Sequence, residues 1–288
     1  MSKITIQNEI LTVTADTFGA RLTGVYANGT QYLWQPDPAY WDDQAPVLFP
    51  MVGRLFEGLY EMDGKQYEMA IHGLAPYHEF SVCEKGADFV TFELRENQQT
   101  LAQYPRRFSF KVTYRLEGST VQVRFQVENK DGKTMYFSLG GHPGFNVPLE
   151  EGYAFEDYRL EFAEKCCPGS VQQSDSCLMT GQVEAYPLQD GKVLPMSRSL
   201  FDRDSLILQD TPKTVTLTAG GERSVTVSFP QMDYLLLWQA KGAPYLCIEP
   251  WSGLPSDQDV ISVFETKKDL IALDPGMTYE NNWWFTVQ

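Results

Sequence analysis

The feature that most constrains this chain is a run of strict alternation, VQVRFQVEN. Val121, Val123, Phe125 and Val127 share one face, and Gln122, Arg124, Gln126 and Glu128 share the other. Side chains of an extended chain reverse face at every residue, so this pattern describes a half-buried β-strand that needs a second layer against its apolar side. SVTVSF, from Ser224 to Phe229, repeats the alternation, whereas YLLLWQ and YLCIE are continuous apolar runs that read as more fully buried strands. Between such runs stand Asn28-Gly29, Asp63-Gly64, Asp131-Gly132, Asp190-Gly191 and Gly220-Gly221, dipeptides that accept the positive φ angles of two-residue hairpin loops. Their recurrence predicts antiparallel meanders. No amphipathic helix of three turns is present; NQQTLAQYP and PMSRSLFDRD are short helical candidates at most, so βαβ units are poorly supported. A GxGxxG or GxxxxGK(S/T) phosphate loop is also missing.

With 288 residues, 43% of them hydrophobic and 13% aromatic, there is ample material for a large core. Turn signals run almost from end to end without a Pro/Gly/Ser linker. The expectation is therefore an all-β fold, a single large antiparallel β-sandwich over residues 1–288, whose broad concave face is a natural place for a cleft. The 38 acidic against 23 basic residues give a formal charge of −15, which repels nucleic acid and an anionic membrane surface alike. The N-terminus lacks an apolar signal segment and YLLLW is far too short to span a bilayer, so a cytoplasmic location is the default expectation. Cysteines 83, 166, 167, 177 and 247 show no CxxC or zinc-like spacing, which favours reduced thiols over a disulfide framework.

Only three histidines are available for proton transfer near neutral pH. His142, in GGHPGFNVPL, follows a strand-like segment and sits behind two glycines and ahead of Pro143-Gly144, so it is either a reactive imidazole with open surroundings or a turn residue. His72, in IHGLA, also abuts a glycine. His78, beside Glu79, reads as a surface or hydrogen-bonded structural residue. A metal site from the three histidines is weakly supported, because no HxH or HExxH spacing accompanies them.

Glu249, in YLCIEPWSG, is a carboxylate at the end of an apolar strand that Pro250-Trp251 closes. Partial burial would raise its pKa and make it a better base; an edge carboxylate paired with a lysine or arginine is the alternative. Arg54, in FPMVGRLFEG, is a lone cation in an apolar segment that should face a carboxylate or a polar ligand. Asp204 precedes the strand-like SLIL and can equally serve as a cap or turn residue.

GRLFEG, IHGLA, GGHPGFNVPL and CIEPWSG, in that order within an all-β chain, resemble the aldose 1-epimerase (galactose mutarotase) family, and within it the LacX-like branch. The resemblance implies a supersandwich fold with a sugar in its cleft. It implies interconversion of the α and β anomers of an aldohexose without a cofactor or a metal, by a monomer or homodimer. The family's HPxFN-type histidine falls on His142, its late glutamate on Glu249, its early arginine on Arg54, its first histidine on His72, and an aspartate that contacts sugar hydroxyls on Asp204. Ring opening needs a base for the anomeric hydroxyl and an acid for the ring oxygen, roles that suit Glu249 and His142; the carboxylate is expected to raise the pKa of the histidine. Arg54 and His72 would orient sugar oxygens.

Two departures bear on which hexose is preferred: Gly53 stands where the family usually has Asn, and Gly144 where it has an aromatic. Other readings are a non-catalytic sugar-binding or sensing protein, a hexose-6-phosphate mutarotase drawing on Arg106 and Arg107, and a glycoside hydrolase using Glu249 and Asp204 as paired carboxylates.

Overall fold

In a computed structural model, residues 2–288 are described, and they are organised around two large antiparallel sheets. The first has nine strands. Its middle is formed by Ser224–Ser228, Thr278–Val287, Thr120–Asn129, Phe108–Glu117 and Phe89–Arg95, each paired antiparallel to the next. The alternation that marks Thr120–Asn129 is realised residue by residue: Val121, Val123, Phe125 and Val127 are buried, while the intervening polar residues are partly or fully exposed. In register with them, Val112 and Phe110 turn inward opposite Phe125 and Val127.

The second sheet has eight strands and reads quite differently. At its centre Ser205–Gln209, Tyr234–Trp238 and Tyr245–Trp251 are neighbours, with Leu237 opposite both Leu206 and Ile248. Leu206, Leu208, Leu235, Leu237, Leu246 and Ile248 belong to the main core. Ile207, Leu236, Cys247 and Trp251 face the other way, into smaller apolar clusters. Both faces of these strands are covered, which is why their sequences lose the alternation and become continuous apolar runs.

The core between the layers is aromatic. Phe49 stacks on Phe110 at 4.4 Å between ring centroids and meets Phe108, Phe137 and Tyr104 edge-on or tilted. The short helical candidates appear as a helix over Gln98–Gln103 and a single 3-10 turn over Arg198–Phe201. The helix is started by Asn97, whose side chain accepts hydrogen bonds from the amides of Gln99 and Thr100.

Asn28-Gly29, Asp63-Gly64 and Gly220-Gly221 lie in hairpin loops as expected. Asp131-Gly132 does not: the strand before it pairs with Phe108–Glu117 and Thr278–Val287, and the strand after it, Met135–Phe137, pairs with Ile271–Leu273. The Asp131 side chain instead accepts from the amides of Arg107 and Lys133, closing a loop between sheets. All five cysteines are free thiols.

Phe110→Ala removes a ring with no exposed surface at the centre of this cluster. The expected cost is about 3–5 kcal/mol of folding stability, to be read as a lower urea midpoint with an unchanged slope.

Candidate active site

The outward face of the eight-stranded sheet carries a cleft of about 270 Å³, near the lower end of the roughly 300–1,000 Å³ usual for small-ligand sites. Its floor comes from the central strands through Ser205, Ile207, Leu236, Trp238, Glu249 and Trp251; loops bring Trp41, Arg54, His72, His142, Cys177 and Asp204 to its walls. Five residues singled out in the sequence, Arg54, His72, His142, Asp204 and Glu249, therefore line one cavity.

Glu249 lies inside the Tyr245–Trp251 strand, not at its end, since pairing continues through Pro250 to Trp251. A proline is tolerated because the amides of Ile248 and Ser252 point toward the 139–143 segment, and the amide that Pro250 lacks would point the same way, at the place where that segment leaves the ladder. Gly140 pairs with Trp251 and Gly144 with Cys247 in one unchanged register, and between them the Ile248 amide donates to the Pro143 carbonyl. That register sets His142 directly opposite Glu249, with Nε2 3.3 Å from Oε1. Trp251 Nε1–H donates to Glu249 Oε2 at 3.2 Å, holding the carboxyl from the other side.

Glu249 has no exposed surface and His142 is 8% exposed. Among the described residues, Glu249 Oε1 and His142 Nδ1 have no hydrogen-bond partner, although both are buried. Burial dominates the titration of each: it pushes Glu249 well above the usual carboxylate range, with the nearby Asp204 charge acting in the same direction, and pushes His142 down to about 4. The expectation that Glu249 raises the pKa of His142 is thus not met. A site this dry disfavours the imidazolium more than one carboxyl, itself held toward its neutral form, can compensate. Burial thus drives both partners toward neutrality.

His72 sits beside His142 with the rings edge to face at 5.4 Å. Its Nδ1 accepts from the Gly53 amide at 3.1 Å, and burial holds the ring well below its ordinary pKa. A neutral imidazole accepting at Nδ1 keeps its proton on Nε2, so His72 can present an N–H donor. Gly53 has φ +64°, and a Cβ there would come within 2.5 Å of Pro255 Cγ. The departure at position 53 is thus matched by a proline ring that occupies the neighbouring space.

Arg54 differs from the expectation of a buried charge: its side chain is exposed and reaches the cleft from the rim, while its neighbours Val52, Gly53 and Leu55 are buried. Asp204 is both a turn residue and a cleft residue, with φ +78° and with Oδ1 accepting from Trp238 Nε1 at 3.3 Å. Cys177, between Asp204 and Arg54, was not singled out in the sequence; burial, reinforced by Asp204, raises its thiol pKa. His72, Cys177 and Asp204 all hold left-handed backbone angles uncommon for non-glycine residues, and all three line the cleft.

The aromatic walls were also not foreseen. Trp41 lies 5.1 Å from His142 and 5.4 Å from Trp238 between ring centroids. An isolated tryptophan in a proline-rich loop carries no periodic signal, although the density of Trp and Tyr from Tyr32 to Trp41 could have prompted attention.

His78 does not line the cleft; its Nδ1 contacts the Leu74 carbonyl at 2.9 Å, so the three histidines do not form one cluster. His142, Cys247 and Glu249 do bring an imidazole, a thiol and a carboxyl within 4.8 Å of one another. Burial, reinforced by Glu249, pushes the Cys247 thiol well up. Among the described residues no helix is long and apolar enough to cross a membrane.

This β-sandwich belongs to a class of folds, the galactose mutarotase-like proteins. The aldose 1-epimerase family model matches residues 2–286, and the chain belongs to that family. It is 33% identical to the chromosomally encoded protein LacX of Lactococcus lactis subsp. lactis, over 99% of both chains. A galactose mutarotase related enzyme from Lactobacillus acidophilus shares its structure with a TM-score of 0.93 at 30% identity, covering 100% of this chain and 97% of that one. A galactose mutarotase-like protein from Lactobacillus casei ATCC 334 superimposes with a TM-score of 0.94 at 29% identity, covering both chains fully.

Glu249→Gln keeps the shape of the side chain and removes its titration. A folded-state pKa raised above the unfolded one contributes stability that is present at low pH and lost as pH rises. The variant should therefore be more heat-stable than the parent at pH 8, with the gap in Tm shrinking toward pH 5. A Tm difference that is independent of pH would contradict the raised carboxyl.

Proposed function

We propose that this protein is a cofactor-independent aldose 1-epimerase acting on a free aldohexose, with residues 1–288 working as one β-sandwich unit. The observation that carries the reading is the 3.3 Å approach of His142 Nε2 to Glu249 Oε1 on the floor of a sugar-sized cleft.

The chemistry follows from one proton shared by two groups. In the ionised form of the pair, the Glu249 carboxylate takes the proton of the anomeric hydroxyl, while the His142 imidazolium gives its proton to the ring oxygen. The C1–O5 bond breaks and its electron pair stays on O5, leaving an open-chain aldehyde, a neutral carboxyl and a neutral imidazole. Rotation about C1–C2 turns the other face of the aldehyde to the 5-hydroxyl, and the two transfers run in reverse. The dry surroundings favour the neutral pair, which is the form that accompanies the open-chain sugar. Hydrogen bonds from the incoming hydroxyls would support the ionised form, and His72, Arg54 and Asp204 are placed to hold the sugar oxygens.

The charges around the cleft favour an unphosphorylated sugar. Asp43, Asp204 and Glu249 line it, and Arg54 is its only Lys or Arg among the described residues. Arg106 is buried against Asp63, and Arg107 pairs with Asp131; neither lines the cleft. A dianionic phosphate would thus meet one exposed guanidinium beside the Asp204 carboxylate, with Asp43 already paired to Arg21 and Glu249 held toward its neutral form.

The test is the decay of optical rotation of freshly dissolved α-D-glucose and α-D-galactose, with glucose 6-phosphate in parallel. The free sugars should relax faster with enzyme than without, and with a higher kcat/KM than the phosphate. His142→Ala and Glu249→Gln should each lower kcat by at least about a hundredfold, the scale of a lost general acid or base. Calorimetric sugar binding with no acceleration for any aldose would instead identify a sugar-binding protein.

A further inference from the structure

The 34–46 segment, WQPDPAYWDDQAP, folds so that one residue of it reaches the reacting groups. The Asp37 carbonyl accepts from the amides of Tyr40 and Trp41, and its side chain accepts from the Ala39 amide, which makes a tight turn that presents the Trp41 indole. That turn is fastened to the strand carrying the histidine: the Trp34 amide donates to the Gly144 carbonyl at 2.8 Å, and Trp34 Nε1–H donates to the Trp41 carbonyl at 3.1 Å. The indole lies over His142 at a tilt of 33° and meets Trp238 almost perpendicularly, at 87°, so two aromatic planes form a corner beside the acid/base pair.

The space for that corner depends on residue 144. A Cβ built on Gly144 would lie 3.3 Å from Trp41 Cζ3, 3.3 Å from Cys247 Sγ and 3.4 Å from Trp34 Cβ. A single methyl would be crowded there, and an aromatic side chain would have to expel the Trp41 indole. Position 144 is also where the sequence departs from the aromatic of the family pattern.

We propose that Trp41 is a specificity-determining residue of this site. Its indole forms the wall against the carbon-bound hydrogens of a neutral pyranose, in a volume that exists because residue 144 is glycine. The substrate class follows from that wall. A ring face with its hydrogens toward Trp41 is attracted by the negative face of the indole and gives up only weakly held water, whereas a substituent carrying charge on that face would lose its hydration against an apolar plane. This inference rests on the mutarotase reading of the same cleft.

The test is a cycle of Trp41→Ala, Gly144→Phe and the double variant, with Trp41→Phe as the conservative control. Polarimetry gives KM and kcat for glucose and galactose, calorimetry gives Kd, and thermal unfolding confirms that each variant is folded. Trp41→Ala should raise KM and Kd by about tenfold, the scale of one lost aromatic contact, while Trp41→Phe should stay within about threefold of the parent. Gly144→Phe should be at least as damaging, and because both substitutions act on one volume the double variant should be no worse than the worse single. The proposal is overturned if Trp41→Ala leaves KM and Kd within about twofold of the parent, or if the effects of the two singles multiply in the double variant. If no free aldose is turned over but one binds, the mutarotase reading fails while Kd still decides the role of Trp41. Binding of no sugar at all overturns both.

Discussion

A carboxyl group with no exposed surface, Glu249, is the constraint on which the rest of the site depends. Removing an ionisable group from water is costly unless it stays neutral or finds partners, and a β-strand in the middle of a sheet can offer partners only from its own face or from the next strand. Both are used. Trp251, two residues along and so on the same face, supplies its indole N–H. The neighbouring segment keeps one register from Gly140 to Gly144, which sets the His142 imidazole opposite the carboxyl oxygen that Trp251 leaves free. Position 142 stands directly across from Glu249 in the register that Gly140–Trp251 and Gly144–Cys247 share, so the two side chains lie on one face and meet.

The same burial sets the titration of the pair. An exposed Glu–His pair would be a solvated ion pair at neutral pH, with little tendency to exchange its proton. Here desolvation drives the carboxyl up and the imidazole down, bringing the charged and neutral forms of the pair toward one another. The cost is borne by the sandwich, whose core on the opposite face of the sheet, through Leu235, Leu237, Leu246 and Ile248, is fully apolar and closely packed.

Much of this was legible in the sequence, for reasons that can be stated. The alternation of Thr120–Asn129 and the unbroken apolar runs of Tyr234–Trp238 and Tyr245–Trp251 carry the sheet layers, because face and burial are written directly into period-two patterns. His142 and Glu249 stood out because each is a rare residue type or a carboxylate in an apolar setting. What was hidden depends on three-dimensional proximity. Glu249 reads as a strand end because Pro250 follows it, yet the strand continues, since the missing amide falls where the neighbouring ladder is already open. Arg54 reads as buried because its neighbours are, yet its side chain leaves the core for the rim. The sign of the shift at His142 could not be inferred from the presence of a carboxylate alone, because it is the balance of two burials.

Two glycines show how such proximity shapes a site without leaving a chemical trace of its own. At position 53 the absent side chain leaves room for Pro255, and the bare amide is free to donate to His72 Nδ1, which fixes the proton of that ring on the nitrogen able to meet a ligand. At position 144 the absent side chain leaves room for Trp41, which comes from a segment about a hundred residues earlier in the chain. In both places a departure from the family pattern at one residue is answered by a bulky residue elsewhere that occupies the vacated volume. Reading either glycine alone suggests a loosened site, whereas each glycine together with its filler describes a cleft repacked around the same acid and base.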